Sequence, residues 1–464
     1  MTLVAILVLA SAFVFIGWRV RVFSEETFEA KDKGATLIQT NFSLFTVIGA
    51  GEYGFAVSLL LTFGIFGLSF IVGIAFAFVI AIFISGHIRS MAGNIKPLNP
   101  RFDGYLNYST PDYYAQIGGK SSSALVTITD VLAFIGILLV QLIVGGTILA
   151  SIADISYTSA VILMAITVSL YSLMGGLKAV FHTDVFQGIL MWAALLLAVG
   201  YVFLYSPSEK DVVGSISALI RETGGLFDDY TPLVLLVLTV SAAFSGPDIW
   251  QRIVTAHTTS ISKKSLAQSG LALLIFGFLL LGLTGDIRLS TGALNSDDAF
   301  LTYLEEIYQS QQWPSYLSAL FAIGLISAFV STADTSLLLL TTLTQNELRR
   351  QGFWSENSSN DSFTKRSKWV IIMFSTLGAM LALLSPGIVD VFGIAIGLLS
   401  LIGVPTIITF LGFGSKKTLP LVLTLEVLVF IVVSFFPFTE NPLALLLPLA
   451  PAAILLTDHR AELK

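Results

Sequence analysis

Cysteine is absent from all 464 residues, which excludes disulfides, thiolate metal sites and thiol nucleophiles. Charge is nearly as scarce: Asp, Glu, Lys and Arg together make up 12% of the chain, and there are only four histidines. No glycine-rich loop followed by Lys and Ser or Thr is present, so a nucleotide-binding motif of that kind is excluded. The loops are mostly short, with "RRQGFWSENSSNDSFTKRSK" (349–368) a polar linker, which leaves no room for a soluble domain between the apolar runs. What fills the chain instead is hydrophobic side chain, 55% of residues, with a mean hydropathy of +0.86.

Such a composition belongs to a polytopic membrane protein. The apolar runs are about 20 residues long, the length of a spanning helix rather than of a barrel strand of about 10 alternating residues. An all-α fold is expected. About thirteen spans are predicted, at about 2–20, 37–60, 62–88, 120–150, 154–174, 179–205, 231–255, 265–287, 313–345, 368–385, 388–412, 418–437 and 442–457. The first run lacks a basic n-region and a small-residue cleavage site, and reads as a retained span rather than a signal peptide. With the N-terminus outside, 21 of the 24 basic residues fall on one side, leaving only Lys210, Arg221 and Arg288 on the other. Basic residues collect on the cytoplasmic side, so the topology reads as N-out and C-in, in a cell inner (plasma) membrane. Of the loops, Leu294 to Ile307 has apolar residues at helical spacing with acids between, and is expected to be a surface helix over an entrance.

Function must then lie inside the bundle, where ionisable groups are expensive and mark pathways or sites. The set is short: Glu52, Asp130, Asp184, Asp248, Asp334 and Asp390, with Gln141 and Gln187. Asp130, Asp248 and Asp390 lie near predicted span ends and read as structural, reaching interfacial water or capping a helix.

"TVIGAGEYGF", Thr46 to Phe55, places three glycines and Glu52 within the second span. "FSGPDIWQR", Phe244 to Arg252, interrupts the seventh with Gly246 and Pro247. Two discontinuous helices five spans apart point to an inverted-repeat transporter whose unwound backbone faces a midplane cavity. Spans two to six and seven to eleven are then two inverted copies, residues 37–205 and 231–412. Around them lie a peripheral first span and loop (1–36), an extracellular loop (206–230) and two peripheral spans with a short tail (413–464). In the ninth span Ala328, Ser331, Thr332 and Thr335 fall on one helical stripe. Hydroxyls and free carbonyls form a hard-oxygen environment that suits sodium, and a sodium ion would offset the cost of a buried Asp184 or Asp334.

"GGLKAVFHTDVFQ" (175–187) resembles the signature of the sodium/solute symporter family. The resemblance continues in "STPDYYAQ", "GPDIWQR" and "SAFVSTADTSLL", in order, over about residues 42–413. It implies a sodium site made from the backbone carbonyls of Phe45, Ile48 and Ala328 and the hydroxyls of Ser331 and Thr332. It places Asp184, Asp334 and Thr335 at a second ion position or beside the first, and Glu52 at a contact with substrate. At the junction, Gly175 and Gly176 are expected to form a tight cytoplasmic turn, His182 to sit at it, and Thr183 to cap the next helix. Asp184 and Gln187, one turn apart, would face the ion region.

The function so implied is sodium-coupled symport of a small organic solute by alternating access. No enzymatic step, no cofactor beyond sodium as the coupling ion, and no nucleic-acid partner is implied. Two alternatives stay open: a proton-coupled or sodium-independent carrier of the same fold, with Glu52 or Asp334 carrying the proton, and a solute-sensing membrane protein.

Overall fold

The computed structural model describes residues 15, 34–47, 53–93, 108–205, 230–291, 314–353, 360–384, 387–434 and 442–458. The expected first span (but for Phe15) and the surface helix over 294–307 lie outside them. Apart from one isolated bridge the described regular structure is helical. Among the described residues six helices are long and apolar enough to cross a membrane, and a bent pair makes a seventh.

α1 (Leu37–Phe45) starts at Thr36, whose hydroxyl accepts from Gln39 N while the Gln39 side chain accepts from Thr36 N. This reciprocal cap satisfies two backbone donors that the first turn would leave open. The helix relaxes into a π turn at Thr46 and Val47. The chain is described again from α2 (Tyr53–Phe63), which runs through a 3-10 turn into α3 (Leu68–Ala92).

α4 (Thr110–Ala153) opens with the Ser109–Asp112 capping box and Pro111, and folds at Gly119, where φ is 81°. That positive φ is open to glycine at little steric cost. α5 (Tyr157–Tyr205) is helical throughout. The expected turn at Gly175 and Gly176 is therefore absent: the backbone stays helical through the polar junction, and two apolar stretches, Tyr157–Leu170 and Ala179–Leu204, flank it. Nor does Thr183 cap a helix. It lies inside α5, its hydroxyl turned back to the carbonyls of Ala179 and Val180.

α6 (Thr231–Ser245) and α7 (Pro247–Thr255) meet at Gly246 with a 46° bend. Pro247 has no amide hydrogen to continue the ladder, so the break follows from sequence. α8 (Thr259–Thr291), α9 (Ser315–Arg350), α10 (Asn360–Ala382), α11 (Ile388–Phe410) and α12 (Thr418–Val433) complete the α-helices. The last predicted span is not α-helical. Pro442–Thr457 winds as a 3-10 helix with Pro448 and Pro451 inside it. At about 2.0 Å per residue, sixteen residues extend about 32 Å, close to the thickness of a bilayer's apolar core.

α9 is the central column, packed most extensively on α5 and α4, while α6 lies between α3 and α11. Glycines allow these approaches. A Cβ on Gly324 of α9 would stand 2.3 Å from Leu190 O, and one on Gly403 of α11 would stand 2.1 Å from Ser241 O. The start of α1 and the end of α7 are also tied together. Ala35 N donates to Thr255 O (2.9 Å) and His257 N donates to Ala35 O (3.0 Å), a short parallel bridge between the start of α1 and the end of α7. The Arg89 guanidinium closes the same end, donating to the carbonyls of Ile253, Val254 and Ala256 at 2.6–2.8 Å.

Candidate functional site

The site forms where α1 ends, α5 carries its aspartate and α9 presents its hydroxyl stripe. The Phe45 ring stacks on Trp192 at 5.2 Å and meets Phe276 edge-on at 5.6 Å, which fixes the last turn of α1 against α5 and α8. Asp184 is fully buried. Ser43 Oγ donates to its Oδ2 (2.5 Å) and Ser331 Oγ donates to its Oδ1 (2.8 Å), so one carboxylate joins α1, α5 and α9.

Arg252 supplies the opposite charge. The charge pattern of the sequence groups it with the cytoplasmic loop residues, yet it is completely buried. Its Nε donates to Ser43 Oγ (3.0 Å), one terminal nitrogen to Thr335 Oγ1 (3.0 Å) and the other to Asp248 O (3.2 Å). The Phe181 ring lies 5.9 Å from the guanidinium carbon. Asp184 and Arg252 thus face one another through a shared serine hydroxyl, which donates to one and accepts from the other. A buried carboxylate and guanidinium are tolerated when their remaining hydrogen-bonding groups are served in this way.

Of the residues expected from the sequence, Phe45, Ala328, Ser331, Thr332, Asp184, Asp334 and Thr335 are all buried in the bundle. Thr332 Oγ1 donates to Thr46 O at 3.4 Å, which brings the end of α1 against α9. Thr335 is engaged by Arg252. Asp334 has no hydrogen-bond partner at either carboxylate oxygen, and the Gln141 and Gln187 amides are likewise buried without partners. Ile48 and Glu52 lie outside the described residues. His182 is half-buried, and its Nε2 accepts from Gln39 Nε2 at 3.2 Å. Asp390 is exposed in the first turn of α11, where Gly387 rather than Asp390 is the cap residue. Asp130 corrects its expectation: it is fully buried inside α4 rather than at an interface.

A cavity of about 40 Å³, room for about three water molecules, lies between the end of α1 and the break at Gly246. Its lining includes Val47 just after α1, Gly246 and Asp248 at the break between α6 and α7, and Thr332, Thr335 and Ser336 of α9. Phe70, Phe134, Ile137 and Ile396 form its apolar wall. Among the described residues no group of three or more His, Cys, Asp or Glu is placed to hold a transition metal; the chemistry is that of hard oxygen ligands.

A second ionic cluster, not expected from the sequence, ties the far end of α9 to α4. Arg350 pairs with both Asp112 and Glu347, and Glu347 accepts from Ser123 (2.6 Å) and Thr127 (3.2 Å). Beside it, burial and then the Asp112 charge push the Tyr108 phenol far above its ordinary range, so it stays neutral. The signal for Arg252 is in the sequence, since it falls inside the predicted seventh span. Asp112 falls within "STPDYYAQ", but nothing in that stretch names its partners, and Ser43 carries no signal at all.

A bent helix pair beside a buried cavity, within a bundle of long apolar helices, suits the class of helical membrane transport proteins. A Na+-coupled sialic acid symporter, solved in a substrate-bound outward-open state, has the same fold with a TM-score of 0.73 at 15% identity, over 98% of this chain and 96% of that one. Mhp1, a nucleobase-cation-symport-1 family transporter, gives 0.60 at 14% identity over 91% of each chain. The chain belongs to the sodium:solute symporter family, whose model matches residues 32–411. Among curated relatives, the Haemophilus influenzae sodium/pantothenate symporter is 25% identical over 46% of this chain and 45% of its own length. The Torpedo marmorata high-affinity choline transporter 1 is 25% identical over 70% of this chain and 56% of its own. The Bacillus subtilis high-affinity proline transporter PutP is 22% identical over 51% and 50%. The chain spans about half the length of the curated relatives it matches.

Proposed function

We propose that the protein is a sodium-coupled symporter that moves a small organic solute across the membrane by alternating access. The carrying observation is the junction of Ser43, Asp184 and Ser331 beside the Thr332–Thr46 contact: a buried carboxylate, hydroxyls and a backbone carbonyl at the end of α1 lie on adjoining positions. Sodium held by the carbonyls of Phe45, Ile48 and Ala328 and the hydroxyls of Ser331 and Thr332 would sit there, replacing the long Thr332 contact. Asp184 supplies the nearby negative charge. Asp334, unpartnered, and Thr335 stand at the position of a second ion or beside the first, and Glu52 is the proposed contact with solute.

In this reading the chain has about thirteen spans, N-out and C-in, with 37–205 and 231–412 as inverted halves. Sodium clamps the first broken helix to α9 and so favours one orientation of the bundle; its release frees α1. A membrane potential contributes about 2.3 kcal/mol per charge per 100 mV, which makes one sodium ion a useful drive. The relatives name pantothenate, choline and proline as the first solutes to try.

The test is uptake of radiolabelled pantothenate, proline and choline into proteoliposomes under an inward sodium gradient, against potassium. Sodium-dependent accumulation of one of them supports the proposal. Accumulation that is equal in potassium would refute the coupling.

A further inference from the structure

The second helix break carries a chemistry that the sodium reading leaves unused. At Gly246 the helical ladder slips by one residue: Ile249 N donates to Gly246 O (3.0 Å) rather than to Ser245 O. Two carbonyls released by the break find side-chain donors instead. Trp250 Nε1 donates to Phe244 O at 2.8 Å, and Thr110 Oγ1 donates to Ser245 O at 3.0 Å.

Thr110 has a second oxygen neighbour, Asp130 Oδ2 at 3.4 Å. A hydroxyl has one hydrogen, and a carbonyl can only accept. With that hydrogen given to Ser245 O, a carboxylate at Asp130 would face the lone pairs of Thr110, whereas a carboxylic acid would donate to them. Asp130 is fully buried, and its Oδ1 has no partner at all. A charged carboxylate so placed would be desolvated and uncompensated. Among the described residues the charged group that acts on Asp130 from a neighbouring element is Asp248 of α7, another carboxylate. Tyr114, on α4 itself, also lies close; its hydroxyl is taken up by Ile402 O (3.2 Å) and Thr406 Oγ1 (3.0 Å). Asp248 lines the cavity, with its Oδ1 tucked beneath Gly246.

We propose that Asp130 is a proton-binding site whose occupancy is tied to the position of the second helix break through Thr110. In the described conformation Asp130 holds the proton and donates to Thr110, which caps Ser245. If α6 and α7 shift so that Ser245 O leaves, the Thr110 hydrogen turns to Asp130. The carboxylate then has a donor, and its proton can leave. Low pH therefore holds the break as it is described, and high pH favours its movement. In the transporter reading, on which the transport consequence alone rests, this site mirrors the sodium site: a helix break of one half faces a helix of the bundle wall, with α4 in the place of α9.

The absence of native cysteine makes the test direct. Ala243, on the cavity wall, is changed to Cys in the full-length protein in liposomes, and its labelling by a maleimide is followed at about pH 5.5 and about pH 8.5, normalised to the unfolded protein. The expected result is a normalised rate at least about threefold higher at the higher pH, with Asp130→Asn locking the slow rate at both. Asp248→Asn, in which Asp130 remains, keeps the pH response. A pH response that survives Asp130→Asn, or that vanishes only with Asp248→Asn, overturns the proposal. Sodium in place of potassium, measured on the same sample at fixed pH, separates the two readings. Loss of the sodium response with the pH response intact sinks the sodium site alone.

Discussion

Ser331 and Asp184, 147 residues apart, share a 2.8 Å hydrogen bond in which the α9 hydroxyl donates to the α5 carboxylate. The bond orients both groups toward the end of α1. A hydrogen bond to a buried charge contributes about 1.5–3 kcal/mol. Ser331→Ala is expected to raise the sodium concentration for half-maximal effect by about tenfold or more, since about 1.4 kcal/mol is one decade. A sodium titration of thermal stability at constant ionic strength checks this. An unchanged midpoint would leave Ser331 a packing residue.

Thr332→Ala removes the hydroxyl nearest the first helix break. Wild-type protein is expected to be stabilised as potassium is replaced by sodium, and the variant to lose most of that gain while keeping its stability in potassium. A thousandfold excess of ligand over its Kd is worth about 4 kcal/mol, which sets the scale of the response.

Arg252 is held on three sides by Ser43, Asp248 O and Thr335. Arg252→Met leaves Asp184 buried without its counter-charge, a loss of about 3–5 kcal/mol for a broken buried pair. Arg252→Lys keeps charge but lacks the fork needed to reach two hydroxyls. Both should lower the thermal midpoint, Met more than Lys. Equal midpoints for the two would show that geometry rather than charge dominates.

Gly324 lies where α9 crosses α5, a few turns from the Ser331–Asp184 bond. A methyl group placed there would meet Leu190 O at only 2.3 Å, so Gly324→Ala must push the two helices apart, at about 1–3 kcal/mol for an overpacked core. Sodium response should fall along with stability. Gly200, which has open space around its Cβ position, serves as the tolerant control.

Much of this architecture is legible in the sequence alone. Gly246 and Pro247 dictate the second break because proline lacks a donor, and the stripe from Ala328 to Thr335 follows from helical geometry. The junction in α5 misleads because glycines in a helix signal either a turn or close packing, and periodicity does not separate them. Asp130 misleads for a different reason. Nearness to a predicted span end suggests nearness to water, but the fold at Gly119 lays the first turns of α4 back beside it. Arg252 is legible as a residue within a span, yet its partners Ser43 and Thr335 come from helices far apart in the chain, and only tertiary structure unites them. The last span's proline content predicts neither its 3-10 winding nor the length that this winding gives it.

The short bridge between Ala35 and Thr255–His257 has a mechanical meaning. It yokes α1 to α7 at one end, so neither can swing there without carrying the other. An ion that grips the first helix and a proton that steadies the second would then act on a single lever, and their energies would add without any relay of side chains between them.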